Sequence, residues 1–156
     1  MAYKTFDSKE YSKAGEYNLT KVVLESFTGE KLDITRLVLE INIYENLFAN
    51  GLSGNVVVSD AIDVPQNFPI TGFERIKFKL ASPGLSDDKG RHFDFDNHPM
   101  YVYKISERQE VTPKTEVYTL NFCSREVIRN EQVRVSQAFT GQSASMFAEL
   151  MHNELY

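Results

Sequence analysis

Between residues 36 and 44 apolar and polar side chains alternate. Leu37, Leu39, Ile41 and Ile43 share one parity, and Arg36, Glu40 and Asn42 the other. Successive strand side chains point to opposite faces, so this spacing predicts a half-buried β-strand. Asn50-Gly51, two residues that tolerate positive φ, predicts a turn before the β-branched run Val56-Val57-Val58. The two segments are expected to pair as antiparallel neighbours. A further strand is predicted over residues 73–80, with Ile76, Phe78 and Leu80 facing in and Arg75, Lys77 and Lys79 facing out. More strands are expected over 92–96, 100–108 and 116–123, the last with Tyr118, Leu120 and Phe122 as its apolar face. Residues 132–137 read as one more.

Helical signals are short. Asp60 is placed to cap a brief helical turn with Asp63 near its start, and Pro65 and Pro69 are expected to end it. Ser124 reads as the N-cap of a helix running to Asn130. Phe147, Leu150, Met151 and Leu155 recur at 3.6-residue spacing, which predicts a C-terminal amphipathic helix without a glycine stop. Residues 1–16 show no sustained period and read as a flexible arm, and 85–91 read as a mobile polar loop. Both are expected to order on contact with a partner. The expected fold is therefore β-rich α+β: a small antiparallel β-barrel or sandwich of about seven to eight strands with short helices. The barrel is expected over 17–138, with 139–156 leading toward a second region not present in this chain.

Composition narrows the partners. At 156 residues the chain has the size of one domain, and 42% hydrophobic with 25% charged residues argues against disorder. A formal net charge of −5, with no basic run, disfavours direct nucleic-acid recognition and binding to anionic membranes. No apolar run approaches the ~20 residues of a membrane span, and the N-terminus lacks the apolar stretch of a signal peptide. Cys123 is the single cysteine, which excludes an intrachain disulfide and points to a reducing compartment or a particle assembled there. Its plainest role is a small buried strand residue.

The one stretch with enzyme-like chemistry is Arg91-His-Phe-Asp-Phe-Asp-Asn-His98. Were residues 92–98 extended, His92, Asp94, Asp96 and His98 would share a face, and imidazoles with carboxylates suit zinc or iron. Ligands along one strand stand in a row about 6.5–7 Å apart, so other elements would have to complete the sphere. The plainer reading is a hairpin arm with Phe93 and Phe95 inward. No catalytic or cofactor-binding residue is assigned, because no nucleophile elbow, phosphate-binding loop or dinucleotide fingerprint is present. The 11 Phe and 8 Tyr are read mainly as inward-facing core residues rather than a stacking platform.

The order of sequence blocks carries a resemblance. Ile-Asn-Ile-Tyr-Glu-Asn-Leu-Phe-Ala-Asn-Gly (41–51) leads into Gly-Asn-Val-Val-Val-Ser-Asp-Ala (54–61), and Pro-Ile-Thr-Gly-Phe-Glu-Arg-Ile-Lys-Phe-Lys (69–79) follows. Tyr-Val-Tyr-Lys-Ile-Ser (101–106), Tyr-Thr-Leu-Asn-Phe-Cys-Ser-Arg-Glu (118–126) and Ser-Ala-Ser-Met-Phe-Ala-Glu-Leu-Met (143–151) complete the order. From about residue 18 onward this resembles the N-terminal part of the baseplate hub proteins of contractile-tailed bacteriophages. The resemblance implies a trimeric hub joining the tail tube to the cell-puncturing spike. It also implies two tail-tube-like barrels per chain, of which only the first lies within these residues. The implied partners are other hub subunits, tail-tube and spike proteins, and the implied location is the virion tail, assembled in the bacterial cytoplasm. A stand-alone carbohydrate- or peptide-binding barrel, or a metal-dependent hydrolase using residues 92–98, are the alternatives.

Overall fold

The structure, a computed structural model, describes residues 17–68, 70–81, 92–134, 143–150 and 152. The expected arm (1–16) and polar loop (85–91) lie outside the described residues, as do 135–137 of the expected last strand and most of the tail beyond Leu150. The strands are β1 (Asn18–Glu25), β2 (Lys31–Asp33), β3 (Val38–Tyr44), β4 (Ser53–Asp60), β5 (Arg75–Ala81), β6 (His92–Asp94), β7 (Met100–Thr112) and β8 (Thr115–Cys123). A 3₁₀ turn covers Thr35–Leu37, and the helices are α1 (Val64–Asn67), α2 (Arg125–Gln132) and α3 (Ser143–Leu150). No described helix is long and apolar enough to cross a membrane.

The strands form one antiparallel sheet in the order β2-β1-β5-β7-β8-β4-β3, with β6 alongside β5. The β-rich fold with short helices is thus as the alternation predicts. Among the described residues the sheet does not close, and β2 and β3 are its outer strands. One core collects the inward residues of β1, β4, β5, β7 and β8, among them Val22, Val56, Phe78, Val102, Leu120 and Phe122. At its centre Phe78 packs on Phe95 and Phe122, with ring centroids 4.6 and 5.5 Å apart. Burying each such ring stabilises the fold by about 1.5–3 kcal/mol relative to leaving it in water.

Several expectations change in the folded chain. In β3, Val38 stands opposite Val58 and Glu40 opposite Val57, so the register slips at Leu39. A bulge of this kind inserts one residue and breaks the parity. Leu39 is left 61% exposed, while Leu37, Val38, Ile41 and Ile43 pack on the core. The reversal between β3 and β4 is centred on Leu47 and Phe48, where Asn46 accepts the N–H of Phe48 on its side chain and that of Ala49 on its carbonyl. Gly51 therefore does not make the turn. It is glycine for space, because a Cβ there would strike Ser124 and Val127 at the start of α2.

Pro65 does not end α1 but lies in its first turn, where a missing N–H costs nothing. Ser124 occupies the N-cap position of α2, yet its hydroxyl accepts the N–H of Leu52 at 3.2 Å instead of capping the helix. Gln132 is helical, and Val133 and Arg134 are not strand. Phe73 precedes β5 and is exposed. β7 runs four residues beyond the expected end and makes a long hairpin with β8.

Candidate functional site

The His92–His98 stretch does not form the row expected for an extended strand. β6 ends at Asp94, and residues 96–98 bend away. Asp94 is occupied: one oxygen accepts the Lys79 ammonium at 2.9 Å, and the other accepts the N–H of Asp96 at 3.0 Å. His98 is exposed and borders a different pocket, beside Asn97 and Arg125. Phe95 is buried as expected, but Phe93 is exposed. Among the described residues no group of three His, Cys, Asp or Glu side chains is arranged to hold a metal ion. Cys123 is buried at the end of β8, and burial pushes its thiol above the ordinary value.

Of the buried carboxylates, Glu74 went unmarked in the sequence, whereas Asp60 meets the start of α1 where it was expected to cap. Burial opposes the charge on Glu74, but the N–H groups of Thr71 and Gly72 and the Thr71 hydroxyl, at 2.8–2.9 Å, outweigh it and hold the pKa below the usual range. Asp60 accepts the N–H groups of Ile62 and Val64 at 2.8 and 2.7 Å and the Tyr118 hydroxyl at 3.1 Å. Burial, and then the Asp60 charge, push the Tyr118 phenol far above its ordinary value. Every polar atom here is satisfied, so both groups read as structural. The sequence signal for Glu74 was a glycine two residues before it, at Gly72 with φ of 98°.

Between β3 and the β5–β6 pair runs a groove of about 450 Å³ lined by Tyr17, Ile41, Ile43, Leu80, Phe93 and Phe95. Along it the outer edge of β3 carries no strand among the described residues, because β3 pairs only with β4. The β3–β4 loop presents Leu47 and Phe48 at 93% and 94% exposure. Phe27 and Phe73 form a second apolar spot, their ring centroids 6.4 Å apart. More of the described aromatic rings are exposed than buried, contrary to the inward reading. An outward aromatic on a short segment is indistinguishable in sequence from an inward one until the register is known.

No protein-family model matches the chain, and neither a curated protein nor a solved structure matches it.

Proposed function

We propose that this chain is a structural subunit of the baseplate hub of a contractile bacteriophage tail, linking the tail tube to the central cell-puncturing spike. The observation that supports it best is the sheet, open among the described residues, whose β3 edge carries no strand there and lies beside the exposed Leu47–Phe48 tip. Exposed strand edges and apolar tips invite association, and a subunit that carries both is suited to being covered by neighbours. The order of sequence blocks from residue 18 onward supplies the particular assembly. In this reading the partners are other hub subunits in a trimeric ring, tail-tube protein and spike protein. The chain resides in the virion after assembly in the host cytoplasm. Its work is mechanical, with no catalytic step, no cofactor and no recognition of nucleic acid.

Mass spectrometry of purified tails tests this. The expected result is the protein in the baseplate fraction at the stoichiometry of a trimer; intact tails that lack it would sink the reading. A second reading, a binding module for carbohydrate or peptide, is favoured by the exposed Phe27–Phe73 pair. Calorimetric titration with oligosaccharides separates the two, since a hub subunit gives no saturable heat and Phe73→Ala has nothing to abolish.

A further inference from the structure

The outer face of β1, β2 and β5 is basic. Lys21, Lys31, Arg75, Lys77 and Lys79 stand on it, and the nearly buried Glu25 serves three of them. Its carboxylate lies 2.7 Å from Lys77, 3.5 Å from Arg75 and 4.0 Å from Lys31, so one negative charge answers three positive ones. Lys21 is directly opposite Lys79 in the β1–β5 ladder. Asp94 holds Lys79, and Asp33 on β2 acts on Lys21 electrostatically, but Lys21 makes no ion pair among the described residues.

The hairpin of β7 and β8 shows the inverse arrangement. Glu110 is directly opposite Glu116, which is in turn opposite Asp60 on β4. With Asp63 they border a polar cleft of about 490 Å³. Arg108 holds Glu116 at 2.6 Å, and Lys114 also borders the cleft, but Glu110 has no ion pair among the described residues. Like charges directly opposite each other in a ladder repel and weaken it. Among the described residues the chain thus carries one facing cationic pair, Lys21–Lys79, and two facing acidic pairs, Glu110–Glu116 and Glu116–Asp60, in two separate places, and Lys21 and Glu110 make no ion pair.

We propose that these two surfaces bind each other between copies of this chain, the Lys21 face of one docking on the Glu110–Glu116 cleft of the next. One contact gives Lys21 and Glu110 each an ion-pair partner and eases the like-charge repulsion within both faces. A second copy fits better than a polyanion such as nucleic acid, because the net charge of −5 opposes a polyanion's approach while the cleft, with four carboxylates against Arg108 and Lys114, keeps an acidic excess. Repeated head to tail, the contact generates a ring where the rotation closes and a filament where it does not. The inference rests on the assembly reading and names one of its contacts.

The test is self-association by sedimentation equilibrium at low and high sodium chloride, on the full chain and two charge reversals. The expected result is association that weakens as salt rises, since exposed charges are screened within about 10 Å at 0.1 M ionic strength. Lys21→Glu and Glu110→Lys should each weaken it roughly tenfold to a hundredfold, because like charges then meet across the contact. An equimolar mixture of the two variants should recover it. That recovery also shows that neither variant failed merely by misfolding. A monomer at every concentration and salt overturns the contact, as does association that ignores salt, ignores the reversals, or stays lost in the mixture. The presence or absence of the protein in purified tails is a separate readout, so the hub role and this contact can fail independently.

Discussion

The corner where β4 ends and the seam beside β3 are parts of one sheet, yet they are finished differently. At the corner, Asp60, Tyr118 and the start of α1 satisfy one another, and Val64 and Phe68 bury against the core. At the seam, the β3 edge has no partner strand among the described residues, and apolar side chains line an open groove. Buried polar groups cost about 1–3 kcal/mol when unpaired, which is why the corner is complete. The seam exposes its backbone edge to water, which can satisfy it, so folding does not require closure there. The difference separates residues that hold the fold from residues that folding leaves exposed.

The largest expected effect belongs to the core that both regions share. Phe122→Ala should destabilise the protein by about 3–5 kcal/mol in urea unfolding, since its ring packs on Phe78 at full burial. A loss below about 1 kcal/mol would mean the core is not packed as described.

Glu74→Gln comes next, at roughly 1–3 kcal/mol, because an amide cannot accept at both positions where Thr71 and Gly72 donate. Glu74 and Glu25 both have folded pKa values below their unfolded ones: burial works against the Glu74 charge but its hydrogen bonds prevail, and Glu25 is lowered first by its hydrogen bond to Lys77. Their contribution is therefore fully present above the ordinary carboxylate pKa and is lost as pH falls through the lowered folded values. Urea midpoints measured from neutral pH downward should fall in the wild type, and fall less steeply in Glu74→Gln. Parallel slopes would remove Glu74 from the acid transition.

Tyr118→Phe should cost about 1 kcal/mol by thermal unfolding, since Asp60 keeps its two backbone donors. The smallest effect on stability belongs to the open side. Leu47→Ser with Phe48→Ser should change unfolding free energy by less than about 0.5 kcal/mol. Under the proposed hub role, the same pair should reduce recovery of the protein in assembled tails. A large stability loss there would erase the distinction between the two regions.

Much of the framework was legible in the chain. The parity of Ile76 and Phe78, and of Tyr118, Leu120 and Phe122, places these residues in the core as expected. The antiparallel pairing of the segment ending at Tyr44 with the Val56–Val58 run was also legible. The bulge at Leu39 was not, because a one-residue slip leaves no mark on the alternation before it. The Ser124 hydroxyl satisfies the expected position but serves Leu52, a partner 72 residues away in sequence. The His92–His98 row was broken by a bend that Asp94 itself stabilises through the N–H of Asp96.

Periodicity along the chain determined which segments become strands and which side of most of them is apolar, because those properties depend on neighbours two to four residues away. Only the tertiary structure decided the strand order, the open seam and the charges that face each other across ladders. Lys21 meets Lys79 and Glu110 meets Glu116 through register, and register is set by the packing of the whole sheet on one core.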